Sequence, residues 1–260
     1  MQVRITSNEQ VAPYAYKMIL AAPAIAKAAK PGQFVMARAT DSCQPLLRRP
    51  FGVHSVKGNS IEILYEIIGE GTKILSQKKP GGLLDIIGPL GNGFIFTKGS
   101  GTFVNILVAG GMGVAPLIFL AEKLMERKTQ SGKRKVLVLL GAKTKSHLLC
   151  EKEFKALGCD VRVATDDGSK GHKGFITEIL NNSINSKNST NSICACGPNP
   201  MLKAVAKIAR DRNITAQVSL EEHMACGIGA CLGCIVNTKQ GQKRVCKDGP
   251  IFNITDIAWR

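Results

Sequence analysis

Aromatic residues are scarce in this chain: one Trp, three Tyr and nine Phe among 260 residues. Acidic residues are also few, 19 against 35 Lys and Arg, which leaves a formal net charge of +16 at pH 7. Such an excess invites a nucleic-acid reading, yet base stacking needs aromatic platforms set among the basic residues. Here the positive residues are scattered, as in Lys78-Lys79, Lys133-Arg134-Lys135 and Lys143-Thr144-Lys145. Nucleic acid is therefore not an expected partner. The charge reads as a basic solvated surface that attracts an acidic partner or substrate.

Histidine is equally sparse. His54, His147, His172 and His223 stand isolated along the chain, and no acid–base constellation forms around them, so no catalytic side chain is assigned. The opening MQVRITSNEQ has neither an apolar core nor a small-residue cleavage site, which excludes a secretory signal there. Residues 99–121 carry no charge, but Gly99, Gly101, Asn105, Gly110, Gly111, Gly113 and Pro116 make them unlike a lipid-facing helix of ~20 apolar residues. No membrane span is expected, and the expected location is the cytoplasm.

What is present is an ordinary globular composition, 44% hydrophobic and 21% charged, with length for about two domains of ~100–200 residues each. The first hundred residues alternate short β-rich runs with Gly and Pro turns (GQFVMARAT, RRPFGVHSV, SIEILYEII, GGLLDIIGPLG), which predicts an antiparallel barrel or sandwich. From residue 103 the rhythm changes. Strands are predicted over 103–109, 135–140, 161–164 and 192–196, alternating with helices over 115–127, 151–157, 174–180 and 200–211. That alternation predicts a doubly wound parallel α/β sheet. The polar stretch 181–192 reads as an exposed loop, and a cysteine- and glycine-rich tail follows Val218. The expected boundaries are 1–99, 100–217 and 218–260.

The nine cysteines are an odd number, which argues against a purely paired disulfide framework. In a reducing compartment, clustered cysteines more often bind metal or carry redox chemistry. The tail reads Cys226-x4-Cys231-x2-Cys234, followed by Cys246. This spacing matches the plant-type [2Fe–2S] pattern, whereas a zinc ribbon would more often show two separate C-x2-C knuckles. Gly227, Gly229 and Gly233 let the backbone curl so that amides can point at thiolates and sulfides. Cys43, Cys150, Cys159 and Cys194 show no such order and read as small apolar residues.

An iron–sulfur centre moves single electrons, so a second cofactor is expected. GGMGVAPL, with Gly110, Gly111 and Gly113, ends one predicted strand and opens a helix. CGPNPML, with Cys196, Gly197 and Pro198, does the same on another strand of that sheet. Free amides at such a helix start favour a pyrophosphate, and Pro116 suits a first turn that needs no N–H. Two glycine-bearing turns at the carboxyl edge make a crevice suited to a dinucleotide. Asp166 and Asp167 follow the third strand, where a carboxylate would accept ribose hydroxyls and repel a 2′-phosphate, favouring NAD over NADP.

Together these two motifs resemble the pyridine-nucleotide half of the ferredoxin–NADP reductase superfamily. That resemblance implies an N-terminal FAD-binding β-barrel with an Arg-x-Tyr/Phe-Ser motif, here Arg49-Pro50-Phe51-Gly52. Arg49 would hold the FAD pyrophosphate; Gly52 departs from the motif, which removes the usual hydroxyl near flavin N5. LLRRPFGVHSV, LYEIIGEGT, GPLGNGF, TDDGSKGHKGF and EEHMACGIGACLGC occur in one order across almost the whole chain. In this the sequence is similar to the family of electron-transfer subunits of dihydroorotate dehydrogenase B. The likeness implies FAD lined by Arg49 to Gly52, Leu64, Tyr65, Glu66, Gly71 and Thr72. It also implies a [2Fe–2S] cluster, NAD stacked near Cys196, and an FMN-containing catalytic subunit as partner in a heterotetramer of two of each. Electrons would pass from dihydroorotate to NAD+ in pyrimidine biosynthesis. Electron tunnelling needs a short path, so the 226–246 cluster region is expected to dock the partner, and a charge reversal at Arg244, beside Cys246, to weaken assembly. Two other readings are weighed: a subunit of an NAD(P)H:ferredoxin or sulfide oxidoreductase, and a redox-responsive binding module without turnover. Cys226 favours the dihydroorotate system, because the oxidoreductase relatives can use Asp at that ligand position.

Overall fold

A computed structural model describes residues 1–95, 103–126, 128–129, 132–133, 135–184 and 190–259. Its chain divides into two compact units, Met1–Gly93 with Glu221–Ile251, and Phe94–Leu220 with Phe252–Arg260.

The first unit is built on a closed barrel of β1 (Gln2–Ala12), β2 (Ala15–Ala21), β3 (Phe34–Ala37), β4 (Arg49–Lys57), β5 (Ser60–Glu66) and β6 (Leu83–Leu90). The strands run in the order β1-β2-β5-β4-β3-β6, and antiparallel pairing of β6 with β1 closes the ring. Alternation drives the inward packing. Val3 and Ile5 of β1 are buried between exposed neighbours, and Met18, Leu20, Met36, Ile61, Ile63, Leu84 and Ile86 complete the core. Helix α1 (Pro23–Ala28) starts on a proline, where a missing N–H costs nothing, and buries Ile25. Helix α2 (Glu70–Gln77) follows β5 and buries Leu75.

The second unit holds the parallel sheet. Its strands are β7 (Phe103–Gly110), β10 (Lys135–Ala142), β11 (Asp160–Thr165), β12 (His172–Lys173), β13 (Thr190–Cys196) and β14 (Thr215–Ser219). Two-residue strands β8 (Lys128–Thr129) and β9 (Gly132–Lys133) form a small separate hairpin. Helices α3 (Ala115–Glu126), α4 (Glu151–Ala156), α5 (Ile176–Ser183) and α6 (Asn199–Asp211) connect the strands. Ile106–Ala109 of β7 and Val136–Leu140 of β10 are continuously buried, as strands covered on both faces must be. The sheet order is β12-β11-β10-β7-β13-β14-β17, with β17 (Ile251–Asn253) on the edge, so the chain leaves β7 on one side and later returns on the other. That reversal puts a topological switch point between β7 and β13.

The tail contributes hairpin β15 (Ile235–Thr238) and β16 (Gly241–Arg244), helix α7 (Val245–Asp248) and strand β17 (Ile251–Asn253). The sequence pattern sets 218–260 apart; in the structure Glu221–Ile251 groups with the barrel and Phe252–Arg260 with the sheet. Of the stretch 181–192 expected as a loop, α5 continues to Ser183 and β13 begins at Thr190, while 185–189 lie outside the described residues. The helix expected over 115–127 ends at Glu126 among the described residues, and a 3-10 turn, Gly111–Val114, leads into it. Among the described residues no helix is long and apolar enough to cross a membrane.

Candidate functional site

The cysteine loop is shaped by close approach to the barrel. Gly227 has φ +71°, and a Cβ there would stand 2.4 Å from Met36 Cγ, so only glycine lets the loop lie against β3. The turn that results aims backbone donors at sulfur. Ile228, Ala230 and Cys231 N–H groups donate to Cys226 Sγ at 3.4, 3.3 and 3.4 Å. Gly233 N–H reaches Cys231 Sγ at 3.5 Å, and Cys246 N–H reaches Cys234 Sγ at 3.4 Å. Burial alone would lift the Cys226 thiol, but these amides and the Cys231 thiol outweigh it and bring the group down to about 6. The loop is thus built to hold negative charge on sulfur.

The four thiols come in two pairs. Cys231 N–H donates to Cys226 Sγ and Cys246 N–H to Cys234 Sγ, and burial, with Cys234 beside it, pushes the Cys246 thiol up. Cys231 is exposed, Cys226 half-buried, and Cys234 and Cys246 buried. Among the described residues no group of three or more His, Cys, Asp or Glu side chains gathers as one metal ion requires. Two thiolate pairs suit a two-iron cluster, and the donor set fits it. All nine cysteines are free of disulfides.

Cys246 is delivered by the hairpin and α7. Val245 N–H donates to Cys234 O at 2.9 Å, and Asn92 Nδ2 holds the Lys247 and Asp248 carbonyls at 3.2 and 3.1 Å. Arg244 ties its own segment to the cysteine loop. Its Nε donates to Asp248 Oδ2 at 3.1 Å and one terminal nitrogen to Gly229 O at 3.2 Å. A cavity of about 280 Å³ beside the loop is lined by Leu232, Ile235, Gln242, Lys243, Arg244 and Asp248.

On the barrel, Arg49 opens β4 and its guanidinium lies against the start of α2: a Cβ at Gly71 would be 2.7 Å from Arg49 Nε. Thr72 is folded back, its Oγ1 accepting Ile68 and Gly69 N–H at 3.0 and 3.3 Å. The first-turn amides of α2 have no acceptor within the helix and start beside the guanidinium, a combination suited to a pyrophosphate. Leu64 and Tyr65 are buried, and Glu66 is half-buried at the end of β5. Tyr65 lies 5.4 Å from the Phe51 ring and 5.9 Å from the Tyr16 ring. Pro50 and Gly52 pair with Met36 and Phe34 across the β3–β4 ladder. Sequence reasoning missed Tyr16, Asn8 and Asp248. Asn8 accepts Tyr65 OH at 2.9 Å and donates to the Leu75, Ser76 and Lys78 carbonyls at the end of α2. An Asn on an exposed-looking strand gives no local signal of that bridge.

In the sheet, the two glycine turns meet at the switch point. A Cβ on Gly113 would stand 2.1 Å from Cys196 O, and one on Gly110 would stand 2.8 Å from Pro198 Cδ. Gly111 is exposed and Gly197 half-buried beside it, above the buried Cys196. Asp166 is exposed after β11, its N–H bonded to Ala142 O at 3.1 Å. The carboxylate of Asp167 is taken up locally by Ser169 N–H and Oγ at 2.9 and 2.7 Å.

A closed barrel, a parallel sheet with its crevice at the switch point and a four-cysteine loop define the class: an oxidoreductase of ferredoxin-reductase fold carrying an iron–sulfur segment. One solved structure, described as an NADH-dependent reduced ferredoxin-NADP oxidoreductase, superposes with TM-score 0.84 at 30% identity, covering 99% of this chain and 90% of that one. A ferredoxin NADP+ reductase from Neisseria gonorrhoeae with bound FAD and NADP shares the fold at TM-score 0.65 and 16% identity, covering 82% and 91%. Residues 107–207 match the oxidoreductase NAD-binding domain family, and 221–258 match the iron-sulfur cluster binding domain of dihydroorotate dehydrogenase B. The dihydroorotate dehydrogenase B (NAD(+)) electron transfer subunit of Desulforamulus reducens is 41% identical over 98% of this chain and 97% of its own. The chain belongs to the family of dihydroorotate dehydrogenase B electron transfer subunits.

Proposed function

We propose that this chain hands electrons from a partner catalytic subunit, one carrying FMN and oxidising dihydroorotate, to NAD+ in the cytoplasm. The observation that carries the reading is the loop in which five amides converge on the sulfurs of Cys226, Cys231 and Cys234. Cys226 with Cys231, and Cys234 with Cys246, would each hold one iron of a [2Fe–2S] cluster. Arg49 and the amides of Gly71 and Thr72 would take the FAD pyrophosphate, with Pro50, Phe51, Gly52, Leu64, Tyr65 and Glu66 lining the flavin. Gly110, Gly111, Gly113, Cys196, Gly197 and Pro198 would take the NAD pyrophosphate and nicotinamide end, and Asp166 the ribose. When bound, the cluster supplies one-electron carriage and FAD supplies the conversion between single electrons and hydride. The chain's own part is to fix these groups, exclude water from them and set their potentials.

Ile228 and Leu232 are exposed on either side of the exposed Cys231 in the sequence, and the exposed Lys247 packs against Gly229. An apolar patch with a basic rim suits an acidic-rimmed face of the catalytic subunit, in an assembly of two copies of each chain.

Reconstitution tests this. The purified chain should contain iron, acid-labile sulfide and FAD, and oxidise NADH with an artificial acceptor, yet leave dihydroorotate untouched. Adding the FMN-bearing subunit should restore transfer from dihydroorotate to NAD+. Dihydroorotate turnover by the chain alone, with FMN shown absent, would overturn the assignment.

A further inference from the structure

Arg244 and Asp248 flank Cys246, two residues before and two after it in the chain. The pair is bound three ways: Arg244 N–H and Nε both donate to Asp248 Oδ2, at 2.8 and 3.1 Å, and the second terminal nitrogen reaches Oδ1 at 3.4 Å. The remaining arm of the guanidinium donates to Gly229 O, inside the turn that carries Cys226 and Cys231. One side chain therefore spans the segment bearing Cys246 and the loop bearing the other pair. Its side chain is only 30% exposed and that of Asp248 27%.

We infer that Arg244 and Asp248 form an opposed charge pair that sets the reduction potential of the cluster, Arg244 favouring the reduced state and Asp248 opposing it. The inference rests on the assignment of the four cysteines to a [2Fe–2S] cluster. Four thiolates and two sulfides around two ferric ions carry a net charge of −2, and adding one electron from a chemical reductant makes it −3. A fixed positive charge lowers the free energy of the second state more than the first; a fixed negative charge raises it. Arg244 is a positioning residue as well, because its bond to Gly229 O holds the loop. A purely mechanical role would shift the potential in no set direction. An electrostatic role demands opposite directions from the two partners.

The test is a redox titration of the purified protein followed by electron paramagnetic resonance. Iron and sulfide are measured first in the wild type; their absence there would refute the cluster assignment, not the charge argument alone. Arg244→Gln leaves Asp248 uncompensated and should lower the potential, a roughly tenfold loss of reduced cluster at fixed ambient potential. For a one-electron couple that is about 59 mV. Asp248→Asn keeps the shape and the acceptor for Arg244 N–H, and should raise the potential by a similar amount. If Arg244→Gln loses its iron, Asp248→Asn decides alone. An unchanged or lowered potential in Asp248→Asn, with iron and sulfide at wild-type content, overturns the proposal.

Discussion

Gly113→Ala is the sharpest single perturbation of the nucleotide crevice. The added methyl would meet Cys196 O at 2.1 Å, Cys196 C at 2.4 Å and Gly197 N at 2.6 Å. Comfortable contacts to carbon lie near ~3.5 Å, so something must move by more than ~1 Å. The obstructing atoms are backbone at the end of β13, and the ladder from Thr190↔Phe103 to Cys196↔Ala109 fixes that end against β7. Gly110 is hemmed in as well, with Met201 Sδ and Pro198 Cδ each 2.8 Å from where its Cβ would be. The shift must therefore fall on the 3-10 turn Gly111–Val114 or on Gly197, the two segments assigned to the pyrophosphate. Overpacking of this kind costs ~1–3 kcal/mol, a fall in Tm of roughly 3–10 °C. Misplacement by ~1 Å costs on the order of a hundredfold in turnover where positioning matters. The assay is NADH oxidation with an artificial acceptor, with KM and kcat separated, beside a thermal scan. Gly58→Ala serves as the control. That residue turns the β4–β5 hairpin at φ +57° with nothing within 4 Å of its Cβ position, so only the left-handed penalty of ~1–2 kcal/mol applies. It should lose a few degrees of Tm and keep its NADH kinetics. Wild-type kinetics and Tm in Gly113→Ala would refute the idea that the two turns form one rigid wall.

Arg49→Ala removes a charge-assisted contact worth ~1.5–3 kcal/mol, so FAD should bind about ten- to a hundredfold more weakly, checked by flavin retention on dialysis. Full flavin occupancy at low protein concentration would count against that role. Asn8→Ala unpairs Tyr65 OH and three carbonyls at the end of α2, for a cost of ~1–3 kcal/mol and a Tm lower by roughly 3–8 °C. Asn8→Asp keeps the acceptor for Tyr65 but turns a carboxylate toward those carbonyls, and should be no more stable than Asn8→Ala. A Tm for either variant within a degree of wild type would show the bridge to be idle.

The parts that are local in physics were legible in the sequence. Period-2 burial in β1 and continuous apolar runs in β7 and β10 come from backbone geometry within a few residues, so barrel and parallel sheet could be read directly. The cysteine spacing and its interleaved glycines marked a candidate ligand set, because spacing and turn-forming residue types are local features of the chain. Glycine turns following strands likewise foretold two helix starts at one sheet edge. What joins distant residues was decided only by the tertiary structure. The sheet order brings Gly113 against Cys196, 83 positions away by subtraction of their numbers. The strand order β1-β2-β5 brings Asn8 to Tyr65, and the fold of the tail brings Arg244 to Gly229. The division of Glu221–Ile251 from Phe252–Arg260 belongs here too. Burial, pairing and steric approach depend on which surfaces meet, and no local pattern of residue types encodes that meeting.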